Sequence, residues 1–181
     1  MRRTPGIGLP LCISAFLIAA VLGSCDIFKP PTGTPPPDPP PPPTSPAGVV
    51  RGIEWAYNNQ DINYYTEMLD PDFTFYFDPR DVQDSGAPSS WGYDDELQAT
   101  RNLFDSVDDG GISLAVNLEG QPEPGPDDEV WDLNGVDYLL IVITWDVTYR
   151  ADGFANFRTR VDGLWRGQPR WWLWKWWDIA G

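Results

Sequence analysis

The chain has 181 residues, a net charge of −15 at neutral pH and no histidine. Without histidine it lacks the commonest general base and a common metal ligand, and its negative charge would repel nucleic-acid phosphates. No acidic cluster completes a calcium-loop motif, and no phosphate-binding loop is present. We therefore expect no metal site, no cofactor and no nucleic-acid partner.

The N-terminal segment is typical of a secretory signal: two arginines precede an apolar run over residues 9–22, which is short for a membrane span. The run ends in "LGSC", which resembles the lipobox of bacterial lipoproteins, and Cys25 stands where those proteins receive their lipid. The resemblance implies a signal peptide over residues 1–24, a palmitate-bearing anchor at Cys25 and a domain outside the cytoplasm. An ordinary signal peptide or an uncleaved anchor is the alternative.

The residue after the cysteine, Asp26, resembles the signal that retains some lipoproteins in the inner membrane. The inner and the outer membrane both stay open as locations. Cys12 lies inside the apolar run, so a domain cleaved before Cys25 would contain no disulfide.

A proline-rich tether, residues 25–46, follows the signal and contains "KPPTGTPPPDPPPPPTSP". Proline removes backbone donors and favours an extended polyproline II chain, so we expect a spacer without a core of its own. A ligand for a proline-binding partner is the alternative. The composition changes after residue 46, and we assign one domain to residues 47–181.

Helix signals come first in this domain. Ser45 followed by Pro46 is typical of a helix start, and Asp61 is placed to cap a second short helix. "FTFYF" at 73–77 predicts the first strand, and 78–93 reads as a loop. An uneven apolar stripe with acidic residues at its start predicts a third helix within 94–107.

Strand signals follow to the end of the chain. Residues 112–118 alternate apolar and polar side chains. Residues 137–150 predict a further long strand, in which one face is apolar throughout and the other turns polar from Thr144 onward. We place a hairpin turn at "ADG", 151–153, a return strand over 154–165, and a further turn at "RGQP" before the closing strand. Helices followed by antiparallel strands predict an α+β fold with the helices on one face of the sheet.

Two segments carry a family resemblance, "AYNNQDINYYTEMLDPDFTFYFDP" and "VDGLWRGQPRWWLWKWWDIAG". The first reads as two helices leading into a strand, and the second places Trp171, Leu173, Trp176 and Asp178 as they often occur in the nuclear transport factor 2-like superfamily. That superfamily includes polyketide cyclase-like proteins and ketosteroid isomerase. The resemblance implies a cone-shaped fold, with a curved and mostly antiparallel sheet wrapped around about three helices and a pocket inside.

The resemblance also defines the candidate catalytic residues. In members like ketosteroid isomerase an aspartate base ends the first strand and a tyrosine on the first helix stabilises an oxyanion. Those two positions fall on Phe77 and Ile53 here, so the candidates are Asp78, one residue further on, and Tyr57, one helical turn further on. Asp78 as a turn former before Pro79 is the structural alternative. We expect a non-catalytic binding domain, with a small carboxylate-based isomerase or hydrolase as the alternative.

The closing strand carries five tryptophans, too many large rings for one core. Regular alternation puts Trp172, Trp174 and Trp176 on one face and Trp171 and Trp177 on the other. We predict that one row packs inside the domain and that a second copy covers the other in a homodimer. Glycan stacking is the alternative, and a partly wet surface is the third possibility. The predicted pocket or interface residues, for an apolar ligand, a glycan or a protein partner, are Tyr57, Phe77, Trp145, Trp171, Trp172, Trp174, Trp176 and Trp177.

Overall fold

The computed structural model describes residues 38–86, 88–125 and 127–180. Cys25, Asp26 and the predicted signal peptide lie outside the described residues, so those assignments stay predictions. No helix in the described part is long and apolar enough to cross a membrane. The elements are α1 (Pro46–Asn58), α2 (Ile62–Met68), β1 (Leu69–Tyr76), α3 (Pro79–Ser85), β2 (Ser90–Gly92), α4 (Tyr93–Asp105), β3 (Ile112–Asn117), β4 (Val130–Ile143), β5 (Thr148–Trp165) and β6 (Gln168–Ala180).

The first two helices begin where their capping residues predict. The Ser45 hydroxyl accepts a hydrogen bond from the backbone N–H of Gly48 at 3.0 Å, and Pro46 occupies the first turn of α1. The Asp61 carboxylate accepts from the N–H groups of Asn63 and Tyr64, both at 3.0 Å, and so caps α2. In each case a short polar side chain satisfies backbone donors that the helix leaves unpaired.

The six strands form one curved, open sheet in the order β2-β1-β6-β5-β4-β3. β1 and β6 are parallel, and every other described pair is antiparallel. The apolar stripes of α1 and α2 pack on the sheet in one core, in which Ile53, Tyr65, Leu133 and Leu173 are almost fully buried. The α+β architecture predicted from the sequence is confirmed.

The hairpin turn predicted at residues 151–153 was wrong. β4 ends at Ile143, and the turn occupies 144–147, where the Thr144 N–H donates to the Val147 carbonyl at 2.9 Å. The Thr144 hydroxyl also bonds the Asp146 carboxylate at 3.1 Å. Threonine and aspartate close this turn through their side chains, whereas Gly153 pairs with Tyr138 inside the ladder. Trp145 consequently lies at a hairpin tip and is 95% exposed.

The segment around the first strand also differs from the prediction. Residues 78–93 contain α3 and β2 rather than a continuous loop, and Asp78 caps α3. β1 begins at Leu69, four residues before the predicted start. Pro71 is tolerated there because the pairing of β1 with β6 is irregular between Leu69 and Thr74, so the missing proline N–H breaks no ladder bond.

The closing strand contains a bulge that changes the predicted rows of tryptophans. Leu173 pairs with Thr159 and Lys175 pairs with Arg158, so Trp174 is the extra residue on β6. The bulge moves Trp176 to the inner row, with Trp171, Leu173 and Asp178. It also moves Trp177 out of the row of Trp171, so the outer face carries Trp172, Trp174 and Trp177.

The end of the proline-rich tether lies against the domain. The compact unit reaches back to Pro39, and Pro43 is buried. The Trp171 N–H donates to the Pro43 carbonyl at 2.8 Å, and the Tyr64 hydroxyl donates to the Pro41 carbonyl. Residues 39–46, which the sequence places in the tether, are therefore anchored to β6 and α2.

Candidate functional site

A cavity of about 290 Å³ lies between the helices and the inner face of the sheet, and it is partly open to solvent. Its wall is mainly aromatic. Phe77 packs edge-on against Phe75 and Trp91, with ring centroids 4.8 Å and 4.7 Å apart, and Phe75 lies 5.4 Å from Trp176. Such a wall suits a flat apolar molecule.

A buried carboxyl group, Glu96, forms one polar patch of this wall. It lies in the first turn of α4 and is 4% exposed. It accepts hydrogen bonds from the Tyr65 hydroxyl at 2.5 Å, the Trp91 indole N–H at 2.8 Å and the Thr100 hydroxyl at 3.1 Å. Burial raises the pKa of Glu96, although these three donors oppose the shift. The cavity therefore contains a carboxyl group that holds a proton more readily than usual.

Tyr57 reaches the same cavity from α1, and its hydroxyl lies 3.5 Å from the Thr100 hydroxyl oxygen. Burial raises the pKa of Tyr57 far above its usual value, and the negative charge on Glu96 adds to the shift. Tyr57 is therefore a neutral phenol at physiological pH, able to donate or accept a hydrogen bond.

A second tyrosine–carboxyl pair lines the cavity from the sheet. The Tyr138 hydroxyl on β4 donates to the Asp178 carboxylate on β6 at 2.8 Å. Burial raises the pKa of Asp178, and nearby acidic residues add to the shift. The cavity thus has two carboxyl groups, Glu96 and Asp178, each hydrogen-bonded to a tyrosine.

One donor at the cavity is unpaired. The indole nitrogen of Trp176 is buried and has no hydrogen-bond partner among the described residues. Burying a polar N–H without a partner is unfavourable, commonly by about 1–3 kcal/mol.

The predicted site residues lie in different parts of the domain. Tyr57, Phe77 and Trp176 line the cavity, whereas Trp171 is buried in the core. Asp78 does not line it: its carboxylate accepts from the N–H of Arg80 at 2.8 Å and from that residue's guanidinium at 3.2 Å. Trp91, Glu96 and Tyr138 are among the cavity residues that the sequence did not place at the site.

Three tryptophans lie on the outer face of β6, and each is covered by a cation. Arg170 lies 3.6 Å from the ring centroid of Trp172, Arg160 lies 5.0 Å from Trp174, and Arg158 lies 5.6 Å from Trp177. We call this set the cation–tryptophan face. That a second copy or a glycan covers this row stays a prediction. The arginines already cover part of each tryptophan ring.

Two cations of this face are held by carboxylates. Arg158 makes a bidentate pair with Asp132, at 2.6 Å and 2.7 Å. Arg160 makes a bidentate pair with the buried Asp70, at 2.5 Å and 2.6 Å, and a third contact with Asp72 at 3.0 Å. Within residues 38–86, 88–125 and 127–180, no group of three acidic or cysteine side chains is arranged to hold a metal ion.

No protein-family model matches this sequence, and no curated protein is similar to it. Solved structures do match. A conserved protein from Planctomyces limnophilus is 14% identical with a TM-score of 0.57, covering 75% of this chain and 94% of that one. An NTF2-like protein of unknown function in nutrient uptake from Rhodospirillum rubrum is 12% identical with a TM-score of 0.53, covering 75% and 97%. The S. rosetta CaMKII hub is 14% identical with a TM-score of 0.53, covering 75% and 93%.

The described domain therefore has the nuclear transport factor 2-like fold, as the sequence predicted. At these identities the likeness shows the fold alone. The fold accommodates ligand-binding and isomerase-like domains, so the function has to be argued from the cavity.

Proposed function

We propose that this chain is a lipid-anchored protein of the bacterial cell envelope whose domain binds a small, mainly apolar molecule in the cavity. The observation that carries the binding function is the aromatic cavity with a tyrosine–carboxyl pair on each of two sides, Tyr65–Glu96 and Tyr138–Asp178. Aromatic walls with a few polar groups are the usual composition of a small-molecule site.

The polar groups define the ligand chemistry. The carboxyl groups of Glu96 and Asp178 favour a ligand with a hydroxyl or N–H donor, and the Tyr57 hydroxyl favours an acceptor. A carboxylate ligand would be disfavoured by these two acids and by the overall charge of −15. The expected ligand is therefore a neutral aromatic or alicyclic alcohol, phenol or ketone.

Binding is tested by the quenching of tryptophan fluorescence with 2-naphthol as the probe. We expect saturable quenching by 2-naphthol and none by 2-naphthoate at equal concentration. Ala99 lines the cavity on α4, so Ala99→Phe should fill it and abolish the quenching. Ala115 is exposed on β3, so Ala115→Phe is the matched control and should bind as the wild type does. Equal quenching in both variants would place the probe elsewhere and contradict the proposed site.

Catalysis is the second candidate, and the raised pKa values of Glu96 and Asp178 favour it, because a carboxyl group that keeps its proton near neutral pH is a competent general acid. The test substrate is 2-naphthyl acetate. A carboxylate-based hydrolase would cleave it faster than buffer does, and Asp178→Asn would lower that rate by about 100-fold or more while 2-naphthol still binds. A rate equal to that of buffer would leave binding as the function.

The anchor is tested separately. Cys25→Ala should abolish labelling with radioactive palmitate and leave the precursor uncleaved, whereas Cys12→Ala should change neither. Fractionation of the two membranes before and after Asp26→Ser tests the proposed retention signal. Labelling that persists in Cys25→Ala would contradict the lipid anchor.

A further inference from the structure

Four side chains with oxygen atoms share hydrogen bonds where α4 borders the cavity. The hydroxyls of Tyr65 and Thr100 both donate to the same oxygen of Glu96, Oε1, at 2.5 Å and 3.1 Å. The Trp91 indole N–H donates to the other oxygen, Oε2, at 2.8 Å. The Tyr57 hydroxyl lies 3.5 Å from the Thr100 hydroxyl, and either of these two oxygens can be the donor. We call Tyr57, Tyr65, Glu96 and Thr100 the hydroxyl circuit.

The circuit is buried. Tyr65 is fully buried, Thr100 is 2% exposed and Glu96 is 4% exposed. Each hydroxyl has a single proton, and a buried hydroxyl has to donate it to another member of the circuit or to a molecule in the cavity. The direction of one hydrogen bond therefore constrains the direction of the next.

The titratable groups around Glu96 come from its own helix, from two other helices and from the sheet. They are Tyr93, Asp94 and Asp95 on α4, Tyr57 on α1, Tyr65 on α2, Tyr138 on β4 and Asp178 on β6. The strands β1 and β2 contribute the uncharged rings of Phe75 and Trp91. In residues 38–86, 88–125 and 127–180, no cation forms an ion pair with Glu96. Asp178 is thus the carboxyl group from which any effect of Glu96 has to be distinguished.

An ionised Glu96 fixes the directions of the hydrogen bonds in one sense. A carboxylate accepts hydrogen bonds and donates none, so Tyr65 and Thr100 both direct their protons to it. The Thr100 oxygen is then left as an acceptor for the Tyr57 hydroxyl. Tyr57 consequently donates into the circuit, and its oxygen can accept a hydrogen bond from a ligand.

A protonated Glu96 reverses these directions. The indole of Trp91 only donates, so the acid proton is favoured on Oε1, beside the oxygens of Tyr65 and Thr100. The hydroxyl that accepts this proton turns its own proton towards Tyr57, to which both hydroxyls are hydrogen-bonded. The Tyr57 oxygen then accepts from the circuit, and the Tyr57 proton is available to a ligand.

We propose that Glu96 is a positioning residue that selects the ligand through Tyr57: protonated Glu96 favours a ligand with a carbonyl acceptor, and ionised Glu96 favours a ligand with an O–H or N–H donor. This inference rests on the proposed function, because it needs a ligand in this cavity. Burial raises the pKa of Glu96, so the change in preference falls above the ordinary value of 4.5. Burial also raises the pKa of Tyr57 far above physiological pH, so Tyr57 stays a neutral phenol throughout.

The experiment compares two flat probes of similar size, indole and 1-indanone. Indole has an N–H donor, 1-indanone has a carbonyl acceptor, and neither ionises between about pH 4.5 and 8. Isothermal titration calorimetry of the full mature chain gives the association constant of each probe across this range. Displacement of 2-naphthol reports that both probes occupy the proposed site, and cooperative unfolding in urea reports that each variant is folded.

We expect the association constant of 1-indanone divided by that of indole to fall about tenfold as the pH rises through the pKa of Glu96, since one hydrogen bond to the ligand is made or lost. Glu96→Gln should keep this ratio at its low-pH value. The amide oxygen accepts from Trp91, and the NH₂ group donates to Tyr65 and Thr100 as the acid proton does.

Two further variants locate the effect. Tyr57→Phe removes the hydroxyl that contacts the ligand and should make the ratio independent of pH. Asp178→Asn is the matched change at the other carboxyl group of the cavity, and the ratio should still fall with pH in this variant.

The outcomes that would overturn the proposal differ from those that would overturn the proposed function. A ratio that stays constant with pH in the wild type, while both probes bind, would contradict the circuit and leave the binding function intact. A fall that persists in Tyr57→Phe would show that the charge on Glu96 acts on the ligand directly. A fall that persists in Glu96→Gln and disappears in Asp178→Asn would assign the response to Asp178. Failure of indole, 1-indanone and 2-naphthol to bind the wild type would contradict the proposed function, and the circuit with it.

Discussion

The two faces of β6 carry the same residue type in two different environments. On the inner face, Trp171 is 6% exposed and packs with Leu173 in the apolar core, and Trp176 borders the cavity. On the outer face, Trp172 and Trp177 are half-buried and lie beneath arginines. The inner rings are covered by apolar side chains and the outer rings by cations.

The difference between these two environments explains how β6 can carry five tryptophans without a second apolar core. A guanidinium group stacks flat on an indole and keeps its edge hydrated, so an arginine covers an aromatic face without losing contact with water. The carboxylates of Asp132 and Asp70 hold Arg158 and Arg160 in place, and Arg170 donates to the Glu67 carbonyl. The outer face is therefore stabilised as a layered surface of acid, arginine and tryptophan.

The largest expected effect distinguishes the two faces by stability. Trp171→Ala removes a ring from the core and should lower the free energy of unfolding by about 3–5 kcal/mol, measured from urea denaturation. Trp177→Ala is the matched change on the outer face, where the ring stacks on Tyr76 at 5.2 Å, and should cost about 1–2 kcal/mol. Equal costs would show that the outer ring is buried as deeply as the inner one, as a second copy would bury it.

Much of the fold follows from local sequence signals. Ser45 and Asp61 mark the two helix starts because a capping side chain acts on backbone donors two or three residues away. The alternation in residues 112–118 predicts β3, which buries Ile112, Leu114 and Val116. These interactions join residues that are close together in the sequence, so a single short segment is enough to predict each element.

The errors arose where distant residues decide the structure. The apolar alternation of residues 137–150 continues past the true turn through Trp145, Val147 and Tyr149, so the pattern does not mark the end of β4 at Ile143. The bulge at Trp174 is set by pairing with β5, so alternation alone assigned Trp176 to the wrong row.

The candidate site was predicted in part, for the same reason. Tyr57, Phe77 and Trp176 were found because their positions follow the family resemblance. Glu96 sits in the run "DDE", where it reads as an ordinary acid at a helix start, and its role depends on Tyr65, Trp91 and Thr100 meeting it in space. Only the pattern of an acid aligned with the apolar stripe of α4 could have indicated that it is buried.

A smaller effect compares the two ion pairs of the outer face. Asp70 is 1% exposed, so Arg160→Gln leaves a buried carboxylate without its cation and should lower the free energy of unfolding by about 2–3 kcal/mol. Arg158→Gln removes the same side chain from Asp132, whose side chain is 37% exposed, and should cost at most about 1 kcal/mol. Chemical denaturation of both variants measures the difference. Equal decreases in the free energy of unfolding for the two variants would show that solvent reaches Asp70 and that its carboxylate is not buried.

The smallest effect comes from the titration of one carboxyl group on each side of the sheet. The pKa of Glu96 is raised by burial, so the folded state holds its proton longer than the unfolded state does. The free energy of unfolding of the wild type, relative to Glu96→Gln, should therefore fall as the pH rises from about 4.5 through the raised pKa.

Asp132 should behave in the opposite way, because hydrogen bonds from Arg158 lower its pKa. Its contribution is present above the ordinary value of 3.8 and is lost as the pH falls below it, through the lowered pKa. Between pH 4.5 and 8 the stability of the wild type relative to Asp132→Asn should therefore stay constant, while that relative to Glu96→Gln changes. Urea denaturation of the three proteins across this range measures both differences. If the difference in free energy of unfolding between the wild type and Glu96→Gln does not change with pH, water hydrates the Glu96 carboxylate in the folded state. That result would contradict the burial of Glu96 in the cavity wall.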